Sequence, residues 1–156
     1  MESRPEQGLR DGAADARGVC GPATGCATRL LVVDDERVIR KVLERYLCME
    51  GYDVQTAASV ATGLLLLERT PFAVMICDVR LPDGSGLDLI RRARELQPHL
   101  AILASSGQAD QQTQATALRN GAAEFLTKPV ALTEFGRAVR SAEARRRTEM
   151  AAGAAT

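Results

Sequence analysis

Phe72-Ala73-Val74-Met75-Ile76-Cys77-Asp78-Val79-Arg80-Leu81-Pro82-Asp83-Gly84-Ser85-Gly86 decides the fold. Its first six residues are apolar without alternation, so a strand made from them is covered on both faces. Asp78 closes that strand, Phe72 to Cys77, and Pro82, Gly84 and Gly86 mark the turn behind it. Leu87, Ile90, Ala93 and, at its end, Leu96 then stripe one face of a helix. Apolar strand, acid, turn, helix is the unit. Its neighbours repeat it.

Upstream, Leu30-Leu31-Val32-Val33 is a second continuous apolar run, stopped by Asp34-Asp35. Val38, Ile39, Val42, Leu43, Tyr46 and Leu47 recur at helical spacing up to Gly51, a C-terminal stop. Tyr52 to Ala57 reads as a strand, and Ser59 as the cap of a helix through Leu64–Leu67 that ends near Thr70-Pro71. Downstream, Ala101 to Ser105 is a strand and Asp110 to Asn120 a polar helix before Gly121. Glu124 to Thr127 is a short strand, and Phe135, Ala138, Val139 and Ala142 mark the buried stripe of a last helix. Five strands alternating with five helices require crossover connections. The expected fold is therefore α/β, a doubly wound five-stranded parallel sheet.

The chain has 156 residues, with 46% apolar and only 3% aromatic, so its core is aliphatic and Ala-filled. Twenty basic residues balance twenty acidic ones, which removes the basic signature of a dedicated nucleic-acid binder. No apolar stretch is long enough to span a membrane and no signal-peptide core opens the chain, so the expectation is a cytoplasmic protein without membrane attachment. Residues 1–28 carry five glycines and two prolines, with Leu9 and Val19 as their aliphatics beyond alanine and Met1. Such a segment buries too little to offset its ordering entropy and reads as a disordered extension. Residues 29–143 form the domain, and 144–156 read as a helix end and a flexible tail. Cys20 and Cys26 have no second cysteine pair, and the one histidine, His99, lies far downstream, so zinc is not expected. Cys77 reads as a small buried hydrophobe.

In a doubly wound sheet, functional groups gather beyond the carboxyl ends of the strands. Asp34 and Asp35 end strand 1, Asp78 ends strand 3, Ser106 ends strand 4, and Lys128 ends strand 5 before Pro129. Carboxylates converging at ~5 Å repel by roughly 3 kcal/mol per pair at an effective dielectric near 20. A hard divalent cation relieves that repulsion, and an all-oxygen donor set favours magnesium. Of the twenty basic residues, Lys41 and Lys128 are the lysines and the rest are arginines. A compact ammonium at the end of strand 5 suits a single phosphoryl or carboxylate oxygen.

These residues carry a family resemblance. Leu31-Val32-Val33-Asp34-Asp35-Glu36, Ile76 to Gly86, Ser106-Gly107 and Gly121-Ala122-Ala123-Glu124-Phe125-Leu126-Thr127-Lys128-Pro129 together resemble the receiver domain of bacterial two-component response regulators, from about Arg29 to Ser141. Ser106 follows Asp78 by 28 positions and Lys128 follows Ser106 by 22, in keeping with the family pattern. The resemblance implies a flavodoxin-like (βα)5 fold with Asp78 as phosphoacceptor and Mg²⁺ held by Asp34, Asp35, Asp78 and the backbone carbonyl of Arg80. It further implies that Lys128 pairs with Asp78 and then with the phosphoryl group, that Ser106 donates its hydroxyl to that group, and that Phe125 is the aromatic switch. Pro129 shapes the turn that aims Lys128, commonly through a cis bond. The resemblance places Arg80 and Gln108 near the water that hydrolyses the acyl phosphate, where they would tune its lifetime; the alternative reading is an arginine that simply faces solvent. Ser106 stands where threonine is commoner, and Phe125 lacks a phenol hydroxyl, so it signals by packing alone.

The implied function is phosphoryl transfer from a sensor histidine kinase or a histidine phosphotransfer protein, in a signalling protein rather than a turnover enzyme. The alternative is a receiver-like scaffold that binds a partner without being phosphorylated. A haloacid-dehalogenase-like phosphatase needs a second acid two residues after its nucleophile, where Arg80 stands. Gly84-Ser85-Gly86-Leu87-Asp88-Leu89 lacks the last glycine of a dinucleotide fingerprint. About a dozen residues follow the last helical stripe, so a single-domain regulator is expected to signal by protein contact rather than by DNA binding. The expected output surface is the face of helix 4, strand 5 and helix 5.

Overall fold

The computed structural model describes residues 27–108 and 110–155. Five strands, β1 (Arg29–Val33), β2 (Asp53–Ala57), β3 (Val74–Asp78), β4 (Ala101–Ser106) and β5 (Glu124–Thr127), form one parallel sheet in the order β2-β1-β3-β4-β5. Five helices alternate with them: α1 (Arg37–Met49), α2 (Val60–Arg69), α3 (Gly86–Leu96), α4 (Gln111–Asn120) and α5 (Leu132–Ala155). A small antiparallel hairpin, Arg80–Leu81 against Gly84–Ser85, stands between β3 and α3. The chain order reverses between β1 and β3, which opens the crevice where a doubly wound sheet places its chemistry.

The apolar runs alternate across the sheet. Leu31, Val33, Met75, Cys77, Ile102 and Ala104 face a core closed by α2, α3 and α4, with Leu89, Ile90 and Ala93 as its helical side. Leu30, Val32, Val74, Ile76 and Leu103 face the other core, closed by Leu43 and Leu47 of α1 and by Phe135, Ala138 and Val139 of α5. Every residue of β3 is buried, as expected for the central strand of a two-sided sheet.

Several boundaries differ from the sequence expectation. Tyr52 sends its backbone N–H to Leu47 O at 3.1 Å, closing α1, so β2 begins at Asp53. Phe72 donates its N–H to Gln97 Oε1 at 2.9 Å, so β3 begins at Val74, and pairing of Asp78 with Ser105 carries it through the acid. β4 extends to Ser106, and Asp110 caps α4 rather than opening it, accepting from Thr113 N at 2.7 Å. Gly121, with φ +122, provides the left-handed residue that ends α4. Val38 and Val42, assigned by spacing to the stripe of α1, are exposed, because the sheet covers only the Leu43–Leu47 side.

At the C-terminus the last helix runs beyond the helix end expected near residue 144. α5 continues without a break to Ala155. The extension is composed of strong helix formers and braced by the Arg147–Glu143 ion pair (2.8 Å) and by Arg146 Nε on His99 O (2.9 Å). At the other end, Thr28 belongs to the fold rather than to an extension: its carbonyl accepts from Asp53 N at 2.9 Å and its hydroxyl bonds Glu143 at 2.7 Å. The extension up to residue 26, with Cys20 and Cys26, lies outside the described residues. No helix among the described residues is long and apolar enough to cross a membrane.

Candidate functional site

The sheet register brings the strand ends level. Val33 lies beside Cys77, Cys77 beside Ala104, and Ser106 beside Thr127, so the next residues of β1, β3 and β5 meet above one edge. Asp34 is 3% exposed and Asp78 7%, while Asp35 faces solvent. One carboxylate oxygen from each of the three lies within 4.8 Å of the others, a grouping that stands alone among the described residues. All its donors are hard oxygens and one side is open to water. That set fits a magnesium-like cation, which retains part of its hydration shell.

Lys128 Nζ reaches across the group, 2.8 Å from Asp34 Oδ2 and 3.2 Å from Asp78 Oδ2. Burial and the nearby Asp34 charge push the Asp78 carboxyl above its usual range, with Lys128 and the Arg80 N–H opposing. Burial alone would lower the Lys128 ammonium. Its hydrogen bond to Asp34 and the two carboxylate charges outweigh that and leave it raised. The cation therefore stays charged while it bridges two buried acids.

The backbone fixes both acids. Asp34 N donates to Ala57 O at 3.1 Å, and Asp34 Oδ1 accepts from Glu36 N at 2.9 Å. Asp78 Oδ1 accepts from Arg80 N at 3.3 Å. Gly86 is forced by close approach: a Cβ there would sit 1.9 Å from Asp78 O, and Gly86 N donates to Val79 O at 2.6 Å. Behind Asp78, burial raises the Cys77 thiol, with Asp78 and Asp34 adding to it, so it remains a neutral S–H that donates to Asp78 O at 3.3 Å.

Ser106 is 2% exposed; its Oγ accepts from Gln108 N at 3.0 Å and its carbonyl accepts from Lys128 N at 2.9 Å. The Lys128–Pro129 peptide bond is cis. Phe125, on β5, pairs with Ala104 of β4 and lies half-buried against the α2–α4 core. Arg80 hydrogen-bonds the Gln108 side-chain oxygen across the mouth of the site.

Three contributors escaped the sequence. Glu36 lies 3.9 Å from Lys128, and Arg40 Nη1 holds Asp34 O at 2.8 Å. Asp83 anchors the loop after β3 to the start of α2, with its carboxylate on Val60 N (2.8 Å) and Ala61 N (3.0 Å). The first two stand just past Asp35 at the start of a helix, a spacing that could have marked them. The Asp83 contact spans more than twenty residues and left no local signal. Beside the mouth, Val38, Ile39, Val42, Val130, Leu132 and Phe135 line an open groove of about 490 Å³ that ends at Glu36 and Lys128.

Comparisons with known proteins identify the family. The response regulator protein PilR of Pseudomonas aeruginosa is 40% identical over 104 residues, which are 67% of this chain and 23% of PilR. The chain thus spans about a quarter of that relative. A CheY-like response regulator receiver domain from Methanospirillum hungatei superimposes with a TM-score of 0.77 at 28% identity, covering 79% of this chain and 98% of that one. A response regulator from Burkholderia pseudomallei, solved with a phosphorylated aspartic acid, a calcium ion and citrate, has a TM-score of 0.70 at 31% identity, covering 81% and 74%. Residues 30–140 match the family described as the response regulator receiver domain, and with its five-stranded parallel sheet the chain belongs to that family.

Proposed function

We propose that the domain accepts a phosphoryl group on Asp78 and switches protein contacts in response. The observation that carries this reading is the Lys128 ammonium bridging the buried Asp34 and Asp78 carboxylates beside Asp35. Three acids against one ammonium leave two net negative charges, a balance that suits a divalent cation and an incoming phosphoryl oxygen. Asp34, Asp35 and Asp78 would hold Mg²⁺ together with the Arg80 carbonyl. When bound, the ion neutralises charge on the transferring phosphoryl group.

A carboxylate oxygen of Asp78 attacks phosphorus. The donor's N–P bond breaks, its imidazole takes the electron pair, and an acyl phosphate forms. Lys128, already within reach of Asp78, then pairs with a phosphoryl oxygen. Ser106 donates its hydroxyl to another, and Phe125 follows into the space that Ser106 leaves. Arg80 and Gln108, bonded to each other over the mouth, control the access of water to the acyl phosphate. The donor is a histidine kinase or a histidine phosphotransfer protein in the cytoplasm. The exposed Val38 (73%) and the apolar groove ending at Lys128 give such a donor a surface beside the acceptor. The output partner is a protein that reads the α4–β5–α5 face.

The test is labelling with a small-molecule phosphodonor and Mg²⁺, with the modified residue located by mass spectrometry. Label on Asp78 that is absent from Asp78→Asn and from EDTA-treated protein is the expected result. An unlabelled wild type would favour the unphosphorylated scaffold, and equal label on the Asn variant would overturn the assignment of Asp78.

A further inference from the structure

We infer that Asp83 is a positioning residue for the metal-binding loop, strapping the hairpin that carries Arg80 to the N-terminus of α2. The inference rests on the proposed metal reading of Asp34, Asp35, Asp78 and Arg80. Pro82 and Asp83 form the two-residue tip of the hairpin in which Arg80 pairs with Ser85 and Leu81 with Gly84. The Asp83 fork takes both N–H groups at once, Oδ1 on Val60 N at 2.8 Å and Oδ2 on Ala61 N at 3.0 Å. Two bonds from one carboxylate fix orientation as well as distance. Those bonds also hold the Asp83 carboxyl below its usual range, so the strap stays charged.

α2 already has its own cap. Ser59 Oγ accepts from Thr62 N at 3.2 Å and Ser59 O from Gly63 N at 3.0 Å, the contacts a helix start normally makes. Asp83 supplies partners for the remaining free donors from the far side of β3. At its base the same hairpin is pinned by Gly86 against the Asp78 backbone, by Leu81 in the core, and by Arg80 N on Asp78 Oδ1. A hairpin this short has no slack. Releasing its tip frees the Arg80 peptide to tilt, along with the hydrogen bond that aims Asp78.

The experiment compares wild type, Asp83→Ala, Asp83→Asn and Ser59→Ala by Mg²⁺ titration in a calorimeter, and by hydrogen exchange of residues 79–86 in EDTA. Ser59→Ala weakens the same helix start without touching the hairpin, so it reports what helix stability alone does. Expected is Mg²⁺ binding about tenfold weaker in Asp83→Ala, the lower range for loss of an outer-shell partner. Asp83→Asn, which keeps one acceptor oxygen, should fall between that variant and wild type. Ser59→Ala should bind within about twofold of wild type, the scatter expected for sites that share no partner. Exchange across 79–86 should quicken in Asp83→Ala and not in Ser59→Ala. Asp83→Ala equal to wild type in both measurements, or Ser59→Ala matching it, overturns the strap. A wild type that does not bind Mg²⁺ overturns the metal reading instead, and the exchange measurement in EDTA then decides the strap alone.

Discussion

Replacing Asp78 with asparagine should stabilise the metal-free protein. Asp78 and Asp34 oxygens lie within 4.8 Å, so at an effective dielectric of 20 their repulsion is no less than about 3 kcal/mol. Lys128 at 3.2 Å returns about 5 kcal/mol on the same scale. Against that surplus of about 2 kcal/mol stand the repulsion of the more exposed Asp35, within the same 4.8 Å, and the burial of the carboxylate, whose desolvation costs several kcal/mol. The raised Asp78 carboxyl has the same sign: its charge is a net cost to the fold. Asparagine keeps the shape and removes the charge. Lys128 is not orphaned, because Asp34 remains 2.8 Å away. With screening by water at the open mouth, the gain is about 1 kcal/mol, or ~4 °C in Tm for a domain of this size.

The assay is thermal unfolding in EDTA across pH, followed by the same melts in Mg²⁺. A folded-state carboxyl above its ordinary 3.8 makes the native state bind the extra proton, so wild-type stability falls as pH rises from 3.8 through the folded value. The advantage of Asp78→Asn should therefore be full near neutrality and shrink as the solution is acidified through that window. Mg²⁺ should raise the wild-type Tm and leave the variant nearly unchanged, since binding stabilises only the form that holds the ion. An Asp78→Asn protein that melts below wild type in EDTA at neutral pH would refute the charge balance.

Gly86→Ala should destabilise the protein by about 3 kcal/mol or more, because its Cβ falls 1.9 Å from Asp78 O and the backbone must shift. Phosphodonor labelling at Asp78 should fall with it, and a melt within about 0.5 kcal/mol of wild type would contradict the close approach. Ser106→Ala should still accept the phosphoryl group, since the acids and Lys128 remain. A beryllofluoride mimic should then change hydrogen exchange over residues 104–128 in wild type and much less in the variant, whereas equal responses would remove Ser106 from the relay.

The strands and their order of chemistry are legible in the sequence because they rest on strong local signals. Short continuous apolar runs bounded by turn signals and alternating with helical stripes read as buried parallel strands, and the acid, hydroxyl or lysine at a strand's end falls at the same edge. Where that reasoning falls short, a distant partner competes for a backbone group. Phe72 reads as strand until the Gln97 side chain takes its N–H, and Tyr52 until Leu47 does. Val38 and Val42 fit the helical stripe by spacing, but spacing does not reveal how wide a strip of helix the sheet covers. Along the helical continuation to Ala155, Arg146 bonds His99 O, a tertiary contact that leaves no local signal. Among the site residues, the Lys128 ammonium reaches Asp34 and Asp78, and its backbone N–H bonds Ser106 O. Asp83 looks like turn punctuation until its fork on α2 is visible.

Strain at the strand ends is sustained by elements that gain nothing from it locally. The two buried acids are held in place by the bond from Asp34 N to Ala57 O, which does not depend on their charge, and by the Glu36 and Arg80 N–H groups on their carboxylate oxygens, which are charge-assisted. Lys128 is tied through its own N–H to Ser106 O, so the ammonium and the hydroxyl share one backbone link. On the proposed reading, a charge that draws Lys128 would also pull on the strand end that carries Ser106, whose strand pairs with that of Phe125 through Ala104. With Asp78 as phosphoryl acceptor, as proposed, the coupling would need no long pathway: a second arrangement of two adjacent strand ends, favoured by contacts that a phosphoryl group makes only there, would be sufficient. On that reading, the stability given up by crowding Asp34 and Asp78 would be free energy available to the bias, since a group that supplies positive charge, or draws Lys128 away, changes the balance of charge at the strand ends.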